Sequence, residues 1–260
     1  MSDPLPETSP ILVATDLVQA FRERQVLFDL SLSIPMGEVH GLLGSNGAGK
    51  TTTLNILAGL VPPVSGQVLI DGKSVWPDPT AIRNLIGYVA DEPIFLSQLT
   101  AREHLDLFAH AFGYQQELPR RTVELLELVG LNEHADERVA GFSRGMKKRF
   151  ALALALVPDP LVLLLDEPTV GLDPRWIRRV RELITELARQ GKTIIFSSHL
   201  LELVESVVQR ATILSNGRVL ASGALSELRS KAVLQEGADL EEVFFALTDH
   251  QDYPDATSTS

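Results

Sequence analysis

The chain has 260 residues, no cysteine, and 23 Lys and Arg against 34 Asp and Glu, which gives a formal net charge of −11. Hydrophobic residues make up 45% of it, enough for a sizeable core, so disordered and fibrous classes are excluded. The lack of cysteine excludes disulfide frameworks and thiolate chemistry and suits a reducing cytoplasm. The amino-terminal segment lacks the basic and apolar run of a signal peptide, so we expect no export of the chain.

The negative charge is concentrated at the carboxyl end. Residues 232–260 contain seven acids and no Lys or Arg, so they carry −7 and the first 231 residues carry −4. Nucleic-acid-binding surfaces are usually basic, so we expect no nucleic-acid partner. The most apolar stretch, residues 151–165, is interrupted by Pro158 and Pro160 and is shorter than the ~20 residues that span a bilayer, so we expect no membrane crossing.

The hydrophobic pattern predicts strands and helices that alternate along most of the chain. Strands are predicted at residues 11–17, 26–34, 38–43, 67–70, 84–90, 161–165, 193–197, 211–213 and 218–220. Helices are predicted at residues 53–60, 101–112, 121–129, 174–190 and 200–208. Such alternation indicates a largely parallel sheet covered by helices. Leu240, Val243, Phe244 and Leu247 form one apolar helix face, which we expect to dock on the core.

A glycine-rich loop follows the predicted strand 38–43 and precedes a helix. It comprises Gly44, Ser45, Asn46, Gly47, Ala48, Gly49, Lys50, Thr51 and Thr52. The loop fits the P-loop pattern G-x-x-x-x-G-K-[ST], in which backbone N–H groups and a helix N-terminus bind phosphate oxygens. Lys50 is then expected to place its charge between the β- and γ-phosphates of a nucleotide, and the Thr51 hydroxyl to bind Mg²⁺.

An apolar strand that ends in two acids supplies a second half of such a site. Residues 161–165 lead directly to Asp166 and Glu167, which places both carboxylates at the carboxyl edge of the sheet. We expect Asp166 to hold Mg²⁺ and Glu167 to act as the general base for the attacking water. The two motifs together indicate an NTPase or a phosphotransferase and do not choose between them.

Three further segments narrow the choice. Residues 142–149 read Phe-Ser-Arg-Gly-Met-Lys-Lys-Arg, residues 171–174 read Gly-Leu-Asp-Pro, and residues 196–199 read Phe-Ser-Ser-His. With the P-loop, this order and spacing resembles the nucleotide-binding subunit of an ATP-binding cassette (ABC) transporter, over residues 11–225. The resemblance implies an α/β P-loop NTPase core, with a mainly parallel sheet, an antiparallel β subdomain and a helical insertion. We assign residues 11–91 and 150–225 to that core, 92–149 to a helical signature subdomain, and 226–260 to a C-terminal helix and acidic tail.

The resemblance also implies roles for residues outside the P-loop. Ser143 and Gly145 match the signature motif, which contacts the nucleotide of the opposite subunit, and Asp173 matches the loop that joins the two sites. His199 matches the switch histidine at the γ-phosphate, and Phe21 lies where the family stacks an aromatic ring on adenine. Taken singly, Ser143 reads as a helix N-cap, His199 as a polar residue at a strand end and Phe21 as a core aromatic.

Two positions depart from the usual family pattern. Asp91 stands where the family has a glutamine that reaches Mg²⁺; a carboxylate can also ligate the metal but cannot donate a hydrogen bond, so we expect altered hydrolysis. The signature has Phe142, Arg144 and Met146 where Leu, Gly and Gln are commonest. That form, with the segment 240–244, resembles the exporter branch whose permease is a separate chain, as in bacterial drug, antibiotic and polysaccharide efflux.

The resemblance implies an ATPase subunit on the cytoplasmic face of the membrane, with ATP and Mg²⁺ bound between two such subunits, identical or paralogous. It would drive a separate permease through the helical insertion. Apolar residues of the insertion are either that coupling surface or a small core of their own: Phe95, Leu96, Leu105, Leu107 and Phe108. The alternatives are a soluble ABC ATPase acting on nucleic acid or ribosomes, disfavoured by the single cassette and the acidity, and a P-loop kinase, disfavoured by the signature serine and switch histidine.

Overall fold

The computed structural model describes residues 10–114, 118–198, 201–233 and 238–252. The strands are β1 (Pro10–Phe21), β2 (Arg24–Pro35), β3 (Val39–Gly44), β4 (Ser65–Ile70), β5 (Lys73–Ser74), β6 (Ile86–Val89), β7 (Val162–Asp166), β8 (Thr193–Ser197), β9 (Arg210–Ser215) and β10 (Arg218–Ala224). The helices are α1 (Lys50–Leu57), α2 (Ala101–Phe112), α3 (Leu118–Leu128), α4 (Arg144–Ala155), α5 (Pro174–Arg189), α6 (Leu201–Glu205), α7 (Leu225–Lys231) and α8 (Leu240–Asp252).

The larger sheet has six strands in the order β10-β9-β3-β8-β7-β6. Strands β9, β3, β8, β7 and β6 are parallel, and β10 is an antiparallel edge strand. Their carboxyl ends therefore meet at one edge of the sheet. In this register Asp166 on β7 lies beside Ser197 on β8. The smaller sheet has the order β2-β1-β4-β5 and is antiparallel throughout.

Two apolar cores lie on opposite faces of the larger sheet, as the alternation of side chains along a strand requires. On β7, Val162 and Leu164 pack with α1 and the antiparallel sheet. Leu163 and Leu165 pack with the helices on the other face. Because all four leucine and valine side chains are fully buried, this strand is an apolar run and not an alternating one.

Local sequence explains where the helices around the site begin. Thr100 and Glu103 form a capping box at the start of α2, with Thr100 Oγ1 accepting from the Glu103 N–H and Glu103 accepting from the Thr100 N–H. Ser143 Oγ accepts from the Met146 N–H at 3.2 Å at the start of α4. Asp173 caps α5 through the Trp176 N–H at 3.1 Å, with Pro174 at the first helical position.

The predicted fold class is confirmed. The ranges 101–112 and 193–197 are those of α2 and β8, and most other elements differ from their predicted bounds by a few residues. Helix α7 was not predicted. The apolar face of α8 does dock on the core through buried Leu240 and Val243. None of the helices in the described part of the chain is long and apolar enough to span a membrane.

Candidate nucleotide site

The P-loop joins the carboxyl end of β3 to the amino end of α1. Gly47 and Gly49 adopt positive φ angles of 82° and 105°, which glycine adopts without strain. A side chain at Gly49 would also lie 2.6 Å from Leu27 Cδ2, so the loop packs tightly against β2. Gly49 precedes α1 and offers no side-chain cap, and the N–H groups of the first helical turn face the loop as an anion site.

Lys50 fixes the loop from within. Its ammonium group donates to the carbonyl oxygens of Gly44 at 2.7 Å and Ser45 at 3.1 Å, and the residue is 7% exposed. Burial lowers the pKa of Lys50, while the negative charges of Glu167 and Asp166 act in the opposite direction. Lys50 therefore lies close enough to Asp166 and Glu167 for their charges to affect its pKa. The P-loop and the acidic end of β7 thus form one site.

Asp166 is held rigidly and keeps one oxygen uncommitted. The residue is 1% exposed, and its Oδ1 accepts a 2.5 Å hydrogen bond from Ser197 Oγ. Its Oδ2 is buried and has no hydrogen-bond partner among the described residues. An orphaned buried carboxylate oxygen is costly unless a cation or water satisfies it, so Asp166 fits the predicted Mg²⁺ site. Thr51, a second predicted ligand, is exposed in the first turn of α1.

Glu167 has a strained backbone. Its φ is +47°, a conformation that costs a residue other than glycine about 1–3 kcal/mol. The Glu167 N–H donates to Ser197 Oγ at 3.0 Å, so the same hydroxyl holds both acids. This conformation turns the chain sharply at the end of β7, between Asp166, the predicted metal ligand, and the residue after Glu167, the predicted base.

Asp91, predicted as a metal ligand, lies in the loop after β6 and is paired with a lysine. Its Oδ1 accepts from Lys148 Nζ at 3.2 Å, and its carbonyl oxygen accepts from the same nitrogen at 2.6 Å. The metal role of Asp91 stays a prediction.

The remaining predicted residues lie on exposed turns and helix ends. Phe21 ends β1 and is 49% exposed, so its ring is not part of the core. Ser143 and Asp173 both serve as helix N-caps, as expected for Ser143 when it is considered singly. The Ser143 Oγ accepts in this bond, so its hydroxyl proton can still be donated to a ligand. Gly145 packs against the loop before Asp173, since a side chain there would lie 3.3 Å from the Gly171 carbonyl oxygen. His199 lies outside the described residues.

Sequence reasoning missed two polar residues of this site. Ser197 was noted only as part of the segment 196–199, although its position at the end of the strand beside β7 could have indicated a contact with Asp166. Lys148 was read only as one of several basic residues in the signature segment. Its burial could not be predicted, because Lys147 and Arg149 beside it differ little in sequence terms and only the packing of α4 selects which one points inward.

Comparisons with known proteins agree with this geometry. A family model described as "ABC transporter" matches residues 27–170. The ABC transporter ATP-binding protein NatA of Bacillus subtilis is 35% identical over 242 residues, which are 91% of this chain and 97% of NatA. The bacitracin transport ATP-binding protein BcrA of Bacillus licheniformis is 38% identical over 224 residues, which are 86% of this chain and 72% of BcrA.

Solved structures show the same relationship. An ATP-binding subunit of an ABC transporter matches with a TM-score of 0.86 at 35% identity, over 92% of this chain and 99% of that one. A dimeric ATP-binding cassette in a post-hydrolysis state with ADP and Pi matches with a TM-score of 0.75 at 27% identity, over 82% of this chain and 98% of that one. This chain belongs to the ABC transporter family, as one of its ATP-binding, ATP-hydrolysing subunits.

Proposed function

We propose that this subunit binds Mg²⁺ and ATP between the P-loop and the carboxyl end of β7, and that it hydrolyses ATP to drive a separate membrane permease. The buried, unpartnered Oδ2 of Asp166 is the observation that carries the proposal. No group of three acidic or imidazole side chains in the described ranges could hold a metal alone. That agrees with Mg²⁺, which proteins usually bind through one or two carboxylates together with nucleotide phosphates.

Each residue has a distinct role in this proposal. The N–H groups of the loop 44–52 and the Lys50 ammonium bind the phosphates, and Phe21 stacks on the adenine. Thr51 and Asp166 hold Mg²⁺, which neutralises charge on the transferred phosphoryl group when bound. Glu167 takes the proton of the attacking water, and His199 donates to the γ-phosphate. The bonds of Ser197 to the Asp166 carboxylate and to the Glu167 backbone support these roles, because positioned groups need no reorganisation during the reaction.

We further propose that two subunits enclose two nucleotides. Ser143, Gly145 and Asp173 would face the partner's nucleotide and the partner's site. Their placement at the exposed starts of α4 and α5 supports this, since a second subunit can reach the N–H groups there. The cassette with ADP and Pi described above is also a dimer, which supports the proposal.

A groove between the helical insertion and the parallel sheet is the proposed permease contact. It has a volume of about 350 Å³, and Leu60, Phe95, Phe108 and Ala151 are among its lining residues. Ile94 at its rim is 96% exposed. Exposed aliphatic side chains beside an apolar groove are typical of a protein contact surface. Of the insertion residues considered above, Leu105 is buried in the core, while Leu96 and Leu107 are exposed.

The family resemblance of the signature and the carboxyl end supports transport outwards, with the subunit attached to the cytoplasmic face of the membrane. The name of BcrA, a bacitracin transport protein, is consistent with a drug-related cargo.

Steady-state ATPase activity of the purified chain, with and without EDTA, tests the core of the proposal. We expect phosphate release with Mg²⁺ and its loss on chelation. Copurification with a permease, after expression with the neighbouring genes, tests the coupling. Phosphorylation of an added small molecule instead of phosphate release would contradict the proposal.

A further inference from the structure

Lys148 is a buried lysine in the signature helix α4. The residue is 4% exposed, although lysine is rarely buried. Its Nζ lies within hydrogen-bond distance of four oxygens: Asp91 O at 2.6 Å, Ala90 O at 3.2 Å, Asp91 Oδ1 at 3.2 Å and Asp166 O at 3.3 Å. The ammonium group is thus fully enclosed by acceptors, as a buried charge must be.

The four acceptors belong to the carboxyl ends of two neighbouring strands. Ala90 and Asp91 follow β6, and Asp166 ends β7, directly before Glu167. Lys148 itself lies on the second turn of α4, the helix that Ser143 begins. One side chain therefore connects the start of the signature helix with the strand end that carries the catalytic carboxylates.

Two opposing effects act on the ammonium group of Lys148. Burial lowers the pKa of Lys148, and the charges of Asp91, Asp166 and Glu167 oppose that change. Loss of the lysine would leave three backbone carbonyls and one carboxylate without their donor. Unpaired buried acceptors are expensive, and the bond to the Asp166 carbonyl is the buried one of the four, so the end of β7 would shift to find another donor.

We propose that Lys148 is a positioning residue for ATP hydrolysis, which ties the signature helix to Asp166 and Glu167, and that Asp91 contributes to turnover chiefly by holding Lys148. The proposal rests on the proposed function, because it assigns a role within the same reaction. It also gives a reason for an aspartate at position 91, since a glutamine there would not balance the buried ammonium.

Lys192 provides a matched control at the opposite edge of the same sheet. It is also well buried, with its side chain 12% exposed, and its Nζ donates to Asp159 Oδ1 at 2.7 Å and to Pro160 O at 2.9 Å. It ties the amino ends of β7 and β8 and does not contact the nucleotide site. A methionine at either position removes the same charge and keeps a similar apolar length.

The test compares Lys148→Met, Lys192→Met, Asp91→Asn and the double variant Asp91→Asn/Lys148→Met. We expect Lys148→Met to lower kcat about tenfold or more, with KM for ATP within about threefold, because a small misplacement of catalytic groups costs rate more than binding. Lys192→Met should change kcat less than about twofold. The double variant should be no slower than Lys148→Met, because the effects of substituting residues that act as a unit do not add. If Lys148→Met does not fold, Lys148→Gln keeps a donor towards Asp91 and should give an intermediate loss.

Hydrogen exchange of the nucleotide-free protein supplies a readout that is independent of activity. The amides of residues 90–92 and 143–147 should exchange faster in Lys148→Met than in the wild type. Their exchange rates should be unchanged in Lys192→Met, because only the first variant releases α4 from the strand ends. Unchanged kcat and exchange in Lys148→Met, or losses from Asp91→Asn and Lys148→Met that multiply, would overturn the proposal. A wild-type chain without ATPase activity would instead overturn the proposed function, and the exchange experiment would still report on the tie.

Discussion

Ser197 Oγ donates a 2.5 Å hydrogen bond to Oδ1 of Asp166. The same oxygen accepts a hydrogen bond from the N–H of Glu167 at 3.0 Å. The bond to Asp166 joins two residues that are paired in the register of neighbouring parallel strands. One hydroxyl group on another strand therefore contacts the side chain of Asp166 and the backbone of Glu167, two adjacent acids with different predicted roles.

Replacing this hydroxyl should slow hydrolysis while leaving the fold intact. We expect Ser197→Ala to lower kcat about 10- to 100-fold, the usual cost of removing a group that orients a metal-binding or catalytic side chain. Phosphate release at saturating ATP measures the effect. Ser230→Ala, which removes an exposed hydroxyl bonded only within α7, is the control. Equal rates in the two variants would show that Ser197 does not orient the acids.

Glu167→Gln should abolish hydrolysis and retain ATP binding. The amide preserves the size of the side chain but cannot accept the proton of the attacking water. Because the nucleotide is then not consumed, ATP should trap a dimer that size-exclusion chromatography detects. Glu186→Gln on the exposed face of α5 should behave as wild type. Near wild-type phosphate release by the Glu167 variant would exclude this residue as the base.

Lys50→Ala should reduce nucleotide affinity itself. The change removes a cation from the phosphate site and two hydrogen bonds that hold the loop at Gly44 and Ser45. We expect the Kd for a fluorescent ATP analogue to rise at least about tenfold, since charge-assisted hydrogen bonds contribute about 1.5–3 kcal/mol. Lys73→Ala, an exposed lysine on β5, serves as the control. Unchanged affinity would mean that Lys50 supports the loop without contacting phosphate.

Asp91→Gln should keep ATP binding and change turnover. The glutamine restores the side chain that the family usually has, but it removes the carboxylate that accepts from Lys148. Equilibrium binding and kcat measured on the same preparation separate the two effects. If turnover stays at the wild-type value, Asp91 takes no part in the role assigned to the family's glutamine.

His40 should make the fold sensitive to acid. Burial, with the positive charge of Arg210, lowers the pKa of His40 from 6.5 to about 3. Below pH 6.5 the unfolded chain therefore binds a proton that the folded chain does not, so stability falls as the pH decreases towards 3. Between pH 6.5 and about 3, His40 should lower the free energy of unfolding by about 1.4 kcal/mol for each unit by which the pH decreases.

Urea unfolding at pH 7.5 and 5.5 checks the effect of His40 against His40→Gln. The variant loses the hydrogen bond to Thr212, so its absolute stability will be lower, but its dependence on pH should be weaker than that of the wild type. Because all other groups titrate alike in both proteins, identical pH dependence would contradict the expectation.

Much of the parallel sheet could be predicted from sequence, because its strands are short apolar runs that end at small, polar or acidic residues. Among the strands, the predicted boundaries differ most for β1 of the antiparallel sheet: the predicted segment 11–17 is part of a strand that runs from Pro10 to Phe21. Asp16 in that strand has a positive φ of 49°, and the register with β2 shifts nearby, so the apolar alternation is interrupted although the strand continues.

The P-loop and the acidic strand end could be predicted because their chemistry depends on residues that are contiguous in sequence. Lys148 could not, because it acts on a strand end that is 18 residues away and only the packing of α4 brings it there. Ser197 acts over 31 residues, and only its place at the end of the next strand indicates that contact. The assigned division of the chain at residue 149 also remains a prediction, since helix α4 continues without interruption from Arg144 to Ala155.

The position of β3 in the sheet has a consequence for synthesis of the chain. This strand, which leads into the P-loop, lies between β8 and β9, and its hydrogen-bonded neighbours begin at Thr193 and Arg210. The strand therefore leaves the ribosome long before either neighbour exists. The nucleotide site is complete only after most of the chain has been translated. We infer that ATP binding cannot assist the early steps of folding.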